Sequence, residues 1–227
     1  IIGFSQLMHE NTPNAQTRQD LDKIIAQAQQ AARIVRGLLD FARQHPPERE
    51  PVQINTLLLN TLDLLSYELR AHNTTWEVHL SPDIPDTMAD PNQIQQVFVN
   101  LINNAWQAID DLGEKGRLKI STQVGDSIFL GDSNGKGAVI RVAIEDNGPG
   151  IPPEIASRIF NPFFTTKPRS KGTGLGLSIC YGIIKKRKGE ISVLSEEGKG
   201  TCCTVVLPRT ADRSTETEQQ PVQEGDR

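Results

Sequence analysis

Cysteine is scarce: three residues in 227 (Cys180, Cys202 and Cys203), an odd number without metal-ligand spacing. That excludes a disulfide framework and points to a reducing compartment with buried thiols. Cys202 and Cys203 are adjacent in a strand-like run, so their side chains are expected on opposite faces. An excess of one charge is also missing. Lys and Arg number 24 against 28 Asp and Glu, a net charge of −4, which gives no whole-molecule attraction to nucleic acid or an anionic membrane. The apolar runs, such as Leu57–Leu59, are far too short to cross a bilayer. No basic-then-apolar signal segment opens the chain, and there is no internal repeat. Ile1 is not an initiator Met, so the start reads as a cut within a longer protein, and membrane attachment is expected only through segments upstream, if at all. A cytoplasmic location is the expectation for this region. What is present, 37% hydrophobic and 23% charged residues, suits one medium domain with a smaller appendage, or one large domain.

The apolar pattern divides the chain. Leu21, Ile24, Ile25, Ala28, Ala31, Ala32, Val35, Leu38, Leu39 and Ala42 recur at three- and four-residue steps and predict one long helix over 14–45. A helix with a single apolar stripe needs a partner. Residues 1–10 read as the end of such a helix and Asn11–Asn14 as the turn. Pro46-Pro47 then stops the pattern. The expected organisation is a partial helical hairpin over 1–46, a larger domain over 47–208 and a disordered polar tail over 209–227. Within the larger domain, 53–72 is expected to be an amphipathic helix and 75–80 a strand. Asp90 is expected to cap a helix whose first residue is Pro91, with Gln93 completing a capping box. Strands are expected over 118–124, 139–146, 191–195 and 201–207, a long loop or hairpin over 125–138, and a helix over 174–188. Lys185, Lys186, Arg187, Lys188 and Gly189 are ordinary C-terminal chemistry for that last helix.

Four clusters carry the chemistry, each with a bland reading beside it. Asn100, Asn104 and Gln107, with Gln96 one turn earlier, lie along one flank of the 91–112 helix. Amide oxygens ligate hard cations such as Mg²⁺ and amide nitrogens donate to phosphate, although a solvated polar face looks the same. In Asp146-Asn147-Gly148-Pro149-Gly150 a strand ends at a carboxylate able to accept from an exocyclic amine, where an ordinary turn would also serve. The run FNPFFTTKPRSKG (160–172) sets three Phe before Lys167, Arg169 and Lys171, cations for a polyphosphate or simply a solvated basic loop. Gly172-Thr173-Gly174-Leu175-Gly176-Leu177 places alternating glycines at a helix start, a natural anion site or a flexible hinge. Its spacing is neither the dinucleotide-binding G-x-G-x-x-G nor the Walker pattern.

Taken in order, these runs resemble the nucleotide-binding boxes of the family shared by gyrase, the Hsp90 chaperones, histidine kinases and MutL. DPNQIQQVFVNLINNAWQAI resembles the N box, DNGPG the G1 box, FNPFFTTK the F box, GTGLGLSI the G2 box and EGKGT a final glycine box. The resemblance covers about residues 50–208. It implies a two-layer α/β sandwich, a mixed and mostly antiparallel sheet covered by helices. It implies ATP and Mg²⁺ as ligands. By this resemblance Asp146 binds the adenine amino group with support from Thr201, and Asn104 is the Mg²⁺ ligand. Gly148, Gly150, Gly172, Gly174 and Gly176 shape the pocket and lid, and Lys167 and Lys171 face the triphosphate. Gln107, Ile151, Phe163, Thr165, Thr173, Leu175 and Leu177 complete the nucleotide contacts.

The ATPase branches carry a Glu one turn before the Mg²⁺ ligand. Here that position is Asn100, and an amide cannot accept a proton at neutral pH. The resemblance is therefore to histidine kinases, where the acceptor imidazole is itself the nucleophile and Asn100, Asn104 and Lys167 would carry phosphoryl transfer. IIGFSQLM resembles the segment that follows the phosphoacceptor box, which puts the acceptor histidine upstream of Ile1 and makes His9 a surface residue. A homodimer through the hairpin and a response regulator as phosphoryl acceptor are the implied partners, with no nucleic acid. A clamp-type ATPase of the same fold and a non-catalytic nucleotide-binding module remain as alternatives.

Overall fold

The computed structural model of the protein describes residues 1–42, 49–110, 112–113, 115–126, 138–168 and 172–209. Helix α1 (Ile2–Asn11) and helix α2 (Ala15–Ala42) open the chain and pack against each other. Asn14 caps α2: its Oδ1 accepts from the backbone N–H groups of Gln16 at 2.9 Å and Thr17 at 3.2 Å, two donors that a helix start otherwise leaves open. Leu21 is buried between the helices. His9 does more than face solvent: its Nε2 lies 3.1 Å from Asp22 Oδ1 and ties α1 to α2.

Strand β1 (Glu50–Val52), helix α3 (Ile54–Ala71), strand β2 (Thr74–Leu80), strand β3 (Thr87–Ala89) and helix α4 (Pro91–Asp110) follow. Then come β4 (Gly116–Asp126), β5 (Ala138–Asp146), the four-residue helix α5 (Pro153–Ala156), α6 (Gly176–Lys186), β6 (Glu190–Glu196) and β7 (Gly200–Pro208). The five-stranded sheet runs β2-β4-β5-β7-β6. Among the described residues β2 and β4 pair in parallel and the other pairs of this sheet are antiparallel. Helices α3, α4 and α6 pack on the sheet, α3 against β2, α4 against β4 and β5, and α6 against β6 and β7. The expected two-layer sandwich is the observed one.

Periodicity explains both layers. On α4, Ile94, Val97, Phe98, Leu101, Ile102, Ala105 and Ile109 are all buried. They meet every second residue of the central strands, Leu118 and Ile120 on β4 and Ile140, Val142 and Ile144 on β5. Each large side chain so buried stabilises the fold by about 1.5–3 kcal/mol. Asp90 caps α4 as expected, its Oδ1 accepting from Asn92 N at 3.0 Å and Gln93 N at 3.3 Å. Gln93 departs from the capping-box expectation, because its Oε1 accepts from Arg187 at 3.3 Å and joins α4 to the end of α6.

Other expectations shift at their edges. The helix expected over 174–188 begins only at Gly176, because Gly174 is left-handed (φ 67°), and it ends at Lys186. Its left-handed C-terminal residue is Lys188 (φ 57°) rather than Gly189. The two-stranded β1–β3 pair and α5 were not expected: three-residue strands and a single turn carry too little periodicity to read. The tail reading lies outside the described residues from position 210, as do 127–137 of the expected loop. Among the described residues no helix is long and apolar enough to cross a membrane.

Candidate functional site

A cavity of about 540 Å³ opens between α4, α6 and the ends of β5 and β7, and is lined as well by residues within 149–167 and 172–174. That is the size of a small-ligand site, typically about 300–1,000 Å³. One wall is the polar flank of α4. Asn100, Asn104 and Gln107 all line the cavity, while Gln96 does not. Asn100 Nδ2 lies 3.5 Å from Gly176 O, a long contact that joins α4 to the start of α6. Gln107 Oε1 accepts from Lys167 Nζ at 2.8 Å, which ties Lys167 to α4.

The opposite end is built on the last residues of β5. Asp146 pairs in register with Thr201 of β7, and both line the cavity. Asp146 Oδ1 accepts from Gly148 N at 2.9 Å. Burial pushes the carboxyl up from 3.8 to about 6, against the backbone N–H groups of Gly148 and Thr201, which pull it down. Holding a carboxylate largely out of water is costly for folding alone and marks a candidate binding group. Gly150 is left-handed (φ 75°), and a Cβ there would collide with the Glu196 carbonyl. The loop after Asp146 is thereby pressed against the β6–β7 turn, where Gly198 N donates to Pro149 O at 2.7 Å and Ile151 N to Ser195 Oγ at 2.8 Å.

The aromatic run divides its labour. Phe160 packs on the core and against Tyr181, ring centroids 5.6 Å apart. Phe164 lines the cavity beneath the Arg158 guanidinium, 4.8 Å from its ring centre. Phe163 is exposed and left-handed (φ 66°), and its carbonyl would collide with any Cβ at Gly174. Thr165, Lys167, Gly172, Thr173, Gly174, Gly176 and Leu177 line the cavity. Helix α6 begins at Gly176, so its open N–H groups and positive dipole end lie at the cavity wall.

Of the residues singled out in the sequence, Gly148, Phe163 and Leu175 do not line the cavity, and Leu175 is buried. Lys171 and Arg169 lie outside the described residues. The apolar lining from Ile144, Ile159, Val193 and Cys203 was not expected at the site, whereas Phe164 belongs to the aromatic run singled out in the sequence. Ile144 and Cys203 stand two residues from Asp146 and Thr201, so strand alternation places them on the same face. Cys203 and Cys180 thiols are both pushed up to about 12 by burial, Cys203 also by the Asp146 charge, so neither is an active nucleophile. The described cysteines are all free.

Residues 89–211 match the family described as histidine kinase-, DNA gyrase B- and HSP90-like ATPases. The chain belongs to this family. Within it the likeness is to the histidine kinases. The sensor protein TdiS of Thauera aromatica is 33% identical over 194 residues, covering 86% of this chain and 34% of that protein. The chain thus spans about a third of the length of that relative. The catalytic domain of histidine kinase ThkA superposes with a TM-score of 0.59 at 32% identity, covering 71% of this chain and 96% of that domain. A crystal structure of ThkA in complex with the response regulator protein TrrA superposes with a TM-score of 0.66 at 26% identity, covering 92% of this chain and 57% of that one. The cavity therefore lies in a histidine kinase ATP-binding domain.

Proposed function

We propose that the cavity binds Mg-ATP and that the parent protein transfers the γ-phosphoryl group to a histidine on its dimerisation hairpin, for relay to an aspartate of a response regulator. The observation that carries this is the arrangement along α4. Gly148 of the Asp146 loop lies beside Ala108 at one end of the cavity, and Gly176 at the start of α6 lies beside Asn100 at the other. Eight helical residues separate the two, ~12 Å, room for a nucleoside at the Asp146 end and a polyphosphate at the α6 end.

Each group then has a part. Asp146, ionised above about pH 6, accepts from the adenine amino group, and Thr201 supports that contact. The apolar lining takes the faces of the purine. The α6 N–H groups and Lys167 face the phosphates. The Asn104 side chain makes no hydrogen bond to another described residue, and its amide oxygen suits a hard cation such as Mg²⁺. Bound there, Mg²⁺ would supply charge neutralisation on the phosphates. The attacking imidazole nitrogen forms the new N–P bond, the β–γ bridging oxygen leaves with the electron pair on ADP, and the imidazole proton goes to solvent. Asn100 offers no base, so water is poorly activated and transfer to histidine is favoured over hydrolysis. ThkA is crystallised with a response regulator, which supports a receiver domain as the next acceptor.

The organisation proposed is residues 1–46 as part of the dimerisation hairpin, 47–208 as the ATP-binding domain and 209–227 as a tail. Exposed Phe4, Leu7, Met8, Ile24 and Val35 on α1 and α2 support a helical partner from a second copy. The test is to mix the chain with labelled ATP and a separately supplied cognate hairpin. Acid-labile, base-stable phosphate on the hairpin supports the reading, and no transfer to a hairpin proven to accept phosphate counts against it.

A further inference from the structure

Ser195 does not line the cavity, yet its hydroxyl makes three contacts next to it. It accepts from Ile151 N at 2.8 Å, lies 2.9 Å from the Gly200 carbonyl oxygen and lies 2.9 Å from Thr201 Oγ1. The strand register explains the cluster. Asp146 on β5 pairs with Thr201 on β7, and Thr201 pairs with Ser195 on β6, one row across three neighbouring strands.

Proton counting settles the directions. A serine hydroxyl has one proton and two acceptor sites. The Ile151 N–H can only donate and the Gly200 carbonyl can only accept, so the single Ser195 proton belongs to Gly200 O. The Thr201 hydroxyl must then donate to Ser195 Oγ. Thr201 lines the cavity and pairs in register with Asp146, and with its proton committed to Ser195 its hydroxyl oxygen has only lone pairs left to offer.

We propose that Ser195 is a positioning residue that fixes Thr201 as a hydrogen-bond acceptor toward the cavity and so makes that edge of the site select a purine carrying a 6-amino group. The inference rests on the nucleotide reading above and adds the residue and proton arrangement that set base preference. Two adjacent acceptors match the two N–H donors of a 6-amino group, directly or through a water. A 6-oxopurine presents an acceptor at the same place and leaves lone pairs facing lone pairs.

The experiment measures ATP and inosine triphosphate dissociation constants by calorimetry for the chain and for Ser195→Ala, Thr201→Val and the double variant. The chain itself binds ATP more tightly than inosine triphosphate. Ser195→Ala frees the Thr201 hydroxyl to turn and donate to a 6-oxo group, and the ATP preference falls about tenfold. Because Ser195 acts through Thr201, adding Ser195→Ala to Thr201→Val leaves the preference where Thr201→Val alone put it, a non-additivity that loosened packing would not produce. Ser195→Thr keeps the hydroxyl and a strand-compatible shape and retains the original preference within about twofold. An unchanged preference in Ser195→Ala, additive losses in the double variant, or loss of preference in a folded Ser195→Thr would each overturn the inference. Absence of ATP binding by the unaltered chain would instead overturn the nucleotide reading on which it rests.

Discussion

Replacing Asp146 by Asn should stabilise the protein while it cripples nucleotide binding. The carboxyl titrates at about 6 rather than 3.8 because burial disfavours its charge. At ~1.4 kcal/mol per pH unit, that gap is a penalty of about 3 kcal/mol on the folded state when Asp146 is ionised. The sign follows from proton affinity. The folded carboxyl holds its proton more tightly than the unfolded one, so the full penalty applies above pH 6. It is relieved as pH falls from about 6 towards 3.8 and is gone below that. Asn carries no charge, so Asp146→Asn removes the penalty at pH 7.5. Weakening of the Gly148 N–H hydrogen bond takes back about 1 kcal/mol. The net gain is about 1–2 kcal/mol, a rise in Tm of about 2–8 °C for a chain of this size. ATP affinity falls at least about tenfold, because the amide presents a donor where the adenine amino group needs an acceptor. Thermal unfolding at pH 7.5 and pH 4, with ATP titrations at pH 7.5, tests both halves. A variant less stable at pH 7.5, or a gain of equal size at pH 4, would refute the reasoning about the buried charge.

Three further outcomes are expected. Asn104→Ala should abolish the Mg²⁺-dependent part of ATP affinity in calorimetry while leaving unfolding within about 0.5 kcal/mol, since the Asn104 side chain bonds to no other described residue. Gly174→Ala should cost about 1–3 kcal/mol in urea unfolding, because φ is 67° there and the Cβ meets the Phe163 carbonyl. It should also weaken ATP binding by displacing the 160–174 run. Cys203 should resist alkylation at pH 8, where a thiol titrating at about 12 is thiolate in only about one molecule in ten thousand. Mass spectrometry should show labelling slowed further by ATP, since Cys203 lines the cavity.

How far the sequence could be read depended on how a feature is encoded. Helix α4 and strands β4 to β7 declare themselves, because one buried face imposes a period of 3.6 or 2 on the residues that cover it. The glycine boxes were legible for a related reason: Gly150 and Gly174 sit where backbone meets backbone and a side chain has no room. The three-residue strands β1 and β3 carry no period and pair across 34 residues of intervening chain, so nothing local announces them. Within FNPFF, spacing could not say that Phe160 enters the core, Phe164 the cavity and Phe163 solvent, because the left-handed turn at Phe163 decides it. The Lys167–Gln107 bond and the Ser195 contacts are tertiary, and only the assembled strands and helices bring those residues together. Gln93 shows the converse: its capping-box pattern is present, but Arg187 from a distant helix takes the side chain.

The most direct measurement is a crystal structure of the chain grown with ADP and Mg²⁺. The account predicts the purine amino group within hydrogen-bond reach of the Asp146 carboxylate, and the phosphates between Asn104 and the start of α6. A purine ring seated anywhere else, or phosphates directed away from α6, would contradict it.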